Sequence, residues 1–176
     1  EDVFVPLEQR TAMANQQGAD LFISIHANSS NLTEIHGLET YFLNLPSSNE
    51  AVEIASRENA ASQASIHQLQ DILKKITIRD KVEESQELAG HVQKAIALKL
   101  GRGQSRGVKQ APFVVLIGAN MPSILVEIGY ISNAQDERLL KTPQYRQQIA
   151  LALFEGIRSY SQTLSDDNTG KPQKTN

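Results

Sequence analysis

Short apolar runs alternate along this chain with longer stretches in which apolar residues recur every three or four positions. Leu21-Phe22-Ile23-Ser24-Ile25 is such a run, bounded by turn residues, and predicts a buried strand. His36 to Leu43, with Thr40, Tyr41 and Phe42, predicts a second strand. Phe113 to Ile117 and Ile124 to Ile128 are two further apolar runs, divided by Gly118-Ala119-Asn120-Met121-Pro122. Val3 to Val5 reads as the end of a strand that Pro6 stops.

Helical spacing fills the intervals. Leu7, Thr11 and Ala14 form one such set, and Val52 and Ala55 follow a capping Ser48. Ile66, Leu69, Leu73 and Ile76 make an apolar stripe. Leu88, Val92, Ala95, Ile96 and Leu100 make another, which ends at Gly101. Gly101 to Gly107 reads as a loop. Thr142-Pro143 is a capping residue followed by proline at the first helical position, and Ile149, Leu153, Ile157, Tyr160 and Leu164 line that helix. From Ser165 the sequence turns polar, which predicts a disordered tail over 165–176.

Buried strands interleaved with helices indicate an α/β domain, a mostly parallel twisted sheet with helices on both faces. Composition narrows the function. With 17 Lys+Arg against 20 Asp+Glu, the chain carries a formal charge of −3, which argues against nucleic acid as a partner. The absence of cysteine excludes disulfides and a thiol nucleophile. No apolar run approaches the ~20 residues of a transmembrane helix.

In such sheets chemistry gathers at the carboxyl ends of strands, and two residues stand there. His26 ends the run that begins at Leu21. An imidazole in that place binds a metal, shuttles a proton or bonds a loop. Glu127 sits inside Ser123-Ile124-Leu125-Val126-Glu127-Ile128-Gly129. A carboxylate in an apolar strand is either a general acid or base or one half of a buried ion pair.

Five segments in order resemble the N-acetylmuramoyl-L-alanine amidases, zinc-dependent cell-wall hydrolases. They are Arg10-Thr11-Ala12-Met13-Ala14-Asn15, the stretch from Gly18 to Asn28, Gly37-Leu38-Glu39-Thr40-Tyr41, Arg106-Gly107-Val108-Lys109-Gln110-Ala111, and Met121 to Asn133. The resemblance covers about residues 1–160, with Ser-Ile-His-Ala-Asn and Glu-Ile-Gly-Tyr-Ile-Ser-Asn its most specific parts. It implies that His26 ligates zinc and that Glu127 is the catalytic carboxylate. The implied reaction is hydrolysis of the amide between N-acetylmuramic acid and L-alanine in peptidoglycan, in the periplasm or outside the cell.

The family also uses a histidine in a Gly-His-Gly-Gly segment and a following glutamate, both upstream of the matched region. No Gly-His-Gly-Gly occurs in this chain. The resemblance therefore implies the carboxyl-terminal part of a catalytic domain over residues 1–164, without its first strand, first helix and two zinc ligands. A non-catalytic peptidoglycan-binding remnant is the alternative. His36 reads as a strand-edge residue, and His67 and His91 as solvated helix residues.

Residues of about 46–100 form a helical insert longer than the single helix of the simplest relatives. In periplasmic relatives such an insert covers the zinc until an activator protein displaces it. Ser65 to Glu84 is the corresponding candidate here, with Asp71, Glu83 or Glu84 as acids able to reach a metal, against simple packing on the domain. Arg106 and Lys109 are candidates to pair with carboxylates of the anionic stem peptide, against ordinary surface charge, and Asn28 is a further candidate for substrate binding.

Overall fold

The computed structural model describes residues 3–62 and 79–169. Helix α1 (Leu7–Gln16) leads to strand β1 (Phe22–Asn28) and then strand β2 (Leu38–Leu43). Helix α2 (Asn49–Glu58) and helix α3 (Arg79–Leu100) follow, then strands β3 (Ser105–Ala111) and β4 (Ser123–Tyr130), a short helix α4 (Ala134–Leu140) and the long helix α5 (Pro143–Thr169). The strands form one sheet in the order β1-β4-β2-β3. β1 runs parallel to β4 and β2 parallel to β3, while β2 and β4 are antiparallel. Among the described residues no helix is long and apolar enough to cross a membrane.

Helices cover both faces, as the alternation of strand and helix patterns requires. Successive strand residues point to opposite sides. Leu38 and Phe42 of β2, with Ile124 and Val126 of β4, pack against Leu88, Val92 and Ile96 of α3 and Ile149, Ala152 and Leu153 of α5. Tyr41 and Leu125 face the other way, toward Leu7 of α1 and Ala51, Ile54 and Ala55 of α2. Ser48 caps α2 as its sequence suggests, its hydroxyl accepting from the Ala51 N–H at 3.1 Å, a contact worth about 1 kcal/mol.

Four local expectations change. Val3 to Val5 belong to no strand. The run Phe113 to Ile117 is a buried 3-10 turn over Val114–Leu116, closed by its own bonds from the Leu116 N–H to the Phe113 carbonyl and from the Ile117 N–H to the Val114 carbonyl, with Asn59 holding its start. The Asn59 side chain donates to the Pro112 carbonyl and accepts from the Val114 N–H, both at 2.8 Å. The segment read as a loop before Gly107 contributes β3, which starts at Ser105. The last helix continues past Ser165 to Thr169. The stripe Ile66 to Ile76 lies outside the described residues.

Helices α3 and α5 touch at a glycine. A Cβ on Gly156 would lie 2.5 Å from the Cα of Val92, whereas one on Gly90 would meet nothing within 4 Å. Gly156→Ala is expected to destabilise the protein by about 1–3 kcal/mol through overpacking. Gly90→Ala, on the exposed side of α3, is expected to stabilise by up to about 1 kcal/mol through helix propensity. Urea midpoints of the two variants should move in opposite directions.

Candidate active site

Three side chains stand in one row across the sheet. His26 of β1 is the register partner of Glu127 of β4, and Glu127 is the partner of Glu39 of β2. Register partners point to the same face. That face is the one of Leu125 and Tyr41, under α2. The final residue of α2, Glu58, sets its Oε2 against Nδ1 of His26. The other ring nitrogen, Nε2, lies 2.8 Å from the Ser24 hydroxyl. His26, Glu58 and Glu127 thus offer three ligand atoms that all lie within 4.8 Å of one another.

Glu127 is fully buried, and neither carboxylate oxygen has a hydrogen-bond partner among the described residues. Burial is the main force that pushes its pKa up to about 9, with the Glu58 and Glu39 carboxylates adding to it and Arg57 opposing. Such a group wants a proton or a cation. The donor set beside it is one imidazole nitrogen and carboxylate oxygens, the chemistry that Zn²⁺ accepts. A cation held at His26 and Glu58 would draw Glu127 back toward its ionised form. On these observations the residues present fit a metal.

Glu39 is equally buried and has the opposite fate. Its Oε1 accepts from the Tyr130 hydroxyl at 2.8 Å, the Tyr41 hydroxyl at 3.0 Å and the Asn28 amide at 3.3 Å. Its Oε2 accepts from Lys109 Nζ at 2.7 Å and Arg106 Nε at 3.0 Å. Burial alone would push its pKa up, but Lys109, Tyr130 and Arg106 outweigh it and hold the carboxyl below its ordinary value.

Two bulges aim these groups. Residues three apart on a regular strand point to opposite faces. Between Leu38 and Thr40 of β2, β3 carries one extra residue, and between His26 and Asn28 of β1, β4 does the same. Each bulge contains a glycine with positive φ, Gly107 at 89° and Gly129 at 144°. The extra residue turns Arg106 and Lys109 to one side, and likewise Glu127 and Tyr130.

His26 and Glu127, singled out from the sequence, are therefore brought together. Arg106 and Asn28 reach the same network but are engaged within the protein. Arg106 pairs with Glu39 and Glu50, and the buried Asn28 accepts from Arg57 and from the Ser29 N–H. His36 is exposed and precedes β2 instead of starting it. His91 is not simply solvated, since its Nδ1 lies 2.8 Å from the Ser159 hydroxyl and its ring packs edge-on to Tyr160. His67 and Asp71 lie outside the described residues, and Glu83 and Glu84 stand on α3, which packs on the opposite face of the sheet. Sequence reading missed Glu58 and Glu39. Glu58 had one local signal, an acid in the last turn of a helix, where the macrodipole disfavours it. Glu39 had the same signal as Glu127, a carboxylate inside an apolar strand.

A family model described as N-acetylmuramoyl-L-alanine amidase matches residues 1–159. The chain is 36% identical over 168 residues to N-acetylmuramoyl-L-alanine amidase AmiA of Escherichia coli (strain K12), covering 90% of this chain and 58% of that relative. It thus spans rather more than half the length of that relative. Among solved structures, AmiC2 of Nostoc punctiforme superposes with a TM-score of 0.64 at 30% identity, covering 92% of this chain and 68% of the other. An N-acetylmuramoyl-L-alanine amidase from Clostridium difficile 630 gives a TM-score of 0.67 at 26% identity, with the same coverage.

The raised pKa of Glu127 has a consequence for stability. Below its ordinary value the group is protonated in both folded and unfolded chains and costs nothing. Between that value and about 9, the unfolded chain ionises and the folded one does not, so stability falls with rising pH. The slope from one such group is at most about 1.4 kcal/mol per pH unit. Glu127→Gln removes it. In chelator-treated protein, the thermal midpoint of Glu127→Gln relative to wild type is expected to rise from pH 5 to pH 8, and a difference independent of pH would contradict the assigned shift.

Proposed function

The chain belongs to the N-acetylmuramoyl-L-alanine amidase family, and from that premise we propose that it hydrolyses the amide joining N-acetylmuramic acid to L-alanine in peptidoglycan, with zinc as cofactor. The observation that carries this reading is the trio His26, Glu58 and Glu127 gathered at one end of the sheet. Peptidoglycan as substrate places the site of action outside the cytoplasmic membrane, in the periplasm or the extracellular space.

His26 and Glu58 are the residues that would hold zinc, with Ser24 fixing the imidazole from its other nitrogen. When bound, zinc supplies a Lewis acid for the carbonyl and lowers the pKa of water to about 7. Glu127 accepts the proton from the attacking water and delivers it to the departing nitrogen. The carbonyl carbon gains oxygen, the C–N bond breaks, and the amine leaves with that proton. The complete burial of Glu127 keeps bulk water from competing for it. Glu58 is the one member of the trio carried by a helix rather than by a strand. An activator protein acting on the helical segment after β2 is a further partner that the family reading brings.

Chelation is expected to abolish release of stem peptide from purified peptidoglycan by the metal-loaded protein. Glu127→Gln should lower kcat by roughly 10²–10⁴-fold while keeping its metal by elemental analysis. His26→Ala should lose both. Hydrolysis that survives chelation would overturn the reading.

A further inference from the structure

Two cations, Arg106 and Lys109, already grip a carboxylate that does not belong to the sheet. Glu50, in the first turn of α2, takes Arg106 at 2.6 Å through Oε1 and Lys109 at 3.0 Å through Oε2. We propose that this cation pair is a subsite for a free carboxylate of the peptide substrate, and that Glu50 is the internal occupant which the substrate displaces. The proposal rests on the amidase reading and adds to it a specificity-determining contact.

The grip is built into the fold. Glu39, fully buried between β4 and β3, anchors both cations from beneath through its Oε2. The β3 bulge at Gly107 turns both to the same side. The Tyr130 ring lies under the Arg106 guanidinium, 5.4 Å away. Two cations against one buried acid leave one positive charge toward solvent, and Glu50 cancels it. Glu50 is the exposed partner, with 38% of its side chain accessible against 25% for Arg106 and 17% for Lys109. It can therefore leave for water at little cost, whereas the cations cannot.

Position sets the ligand. Arg106 and Lys109 lie on β3, two strands from Glu127 on β4, or roughly 10 Å at about 4.8 Å per strand. An extended peptide advances about 3.5 Å per residue. The carboxylate that reaches this pair sits about two to three residues from the amide being cut.

The test compares N-acetyl-alanyl-glutamate with the same peptide amidated at both carboxyls. Calorimetry measures binding to the metal-loaded wild type and to Glu50→Gln. A muropeptide pair, free or amidated at the matching residue, is assayed for hydrolysis. Glu50→Gln is expected to bind the free acid about ten-fold more tightly than wild type and the amide equally well. Lys109→Gln in the Glu50→Gln background is expected to remove most of that gain, and circular dichroism confirms its fold. Equal gains for acid and amide would show that Glu50→Gln merely loosens α2, and would overturn the proposal, as would no gain for either. Hydrolysis without preference for the free acid sinks the subsite and leaves the amidase reading intact. Preferential binding of the acid without hydrolysis of either muropeptide keeps the subsite and sinks the amidase reading.

Discussion

Glu39 has no access to water, and an isolated carboxylate in that position would cost far more than a domain of this size can spare. It is tolerated because five donors converge on its two oxygens. Each donor is thereby fixed in turn. Lys109 and Arg106 are drawn from the edge strand β3 toward the middle of the sheet, Tyr130 is pulled over from β4, and Asn28 ties in the end of β1. One buried charge thus aligns the ends of all four strands, including the antiparallel junction between β2 and β4 that splits an otherwise parallel sheet. Removing either cation would leave the acid short of partners, and that asymmetry makes breaking a buried pair costlier than forming it is rewarding.

Next to it in the same row, Glu127 receives nothing. The two glutamates are cross-strand partners on one face, equally hidden from solvent, and differ only in what surrounds their oxygens. Satisfied by donors, Glu39 stays ionised at ordinary pH. Glu127 faces two other acids and is pushed up to about 9. Pairs of carboxyls driven apart in this way mark division of labour, one holding structure and the other moving protons. The satisfied glutamate also helps keep its neighbour protonated in the absence of a cation, since its fixed negative charge is one of the forces on Glu127.

Much of this was legible in the sequence. The apolar runs around Ile23 and Ile124 and the helical periods of Leu88 to Leu100 and Ile149 to Tyr160 became elements where expected, because pattern and packing agree there. The run at Val114 failed, since burial alone does not distinguish a strand from a 3-10 turn that bonds to itself and is held at its start by a distant asparagine. β3 was missed because Ser105 to Gln110 offers one apolar side chain, Val108, and that one is exposed, while its bulge destroys the alternation that would betray it. His26 and Glu127 were visible as polar residues out of place in apolar strands. Glu58 was not, because its neighbour is created only when α2 folds over the sheet. One local clue was available and is transferable. In Arg106-Gly107-Val108-Lys109 and in Glu127-Ile128-Gly129-Tyr130, two functional side chains stand three apart with a glycine between them, and a glycine bulge is what lets such a pair share a face.

Helix α2 meets the row at two points. Glu50 grips the cations of β3 at one edge of the sheet, and Glu58 meets His26 on β1 at the other edge. Eight residues of helix rise about 12 Å, close to the three strand spacings, about 14 Å, between those edges. The helix therefore crosses the strands rather than running along them. Residues eight apart stand about 80° apart around the helix, with Ile54, four residues from each, midway between the two acids. Between them Ile54, almost fully buried, is lodged in the core. A short rigid rod pinned at both ends over a central apolar contact has few ways to move except by tilting about that contact. Each end opposes the tilt that would free the other. The Glu58 end has further holds of its own, since Arg57 donates to Asn28 at 3.3 Å and Asn59, the next residue, is bonded to Pro112 and Val114, so that end stays seated over His26 when the Glu50 end is free.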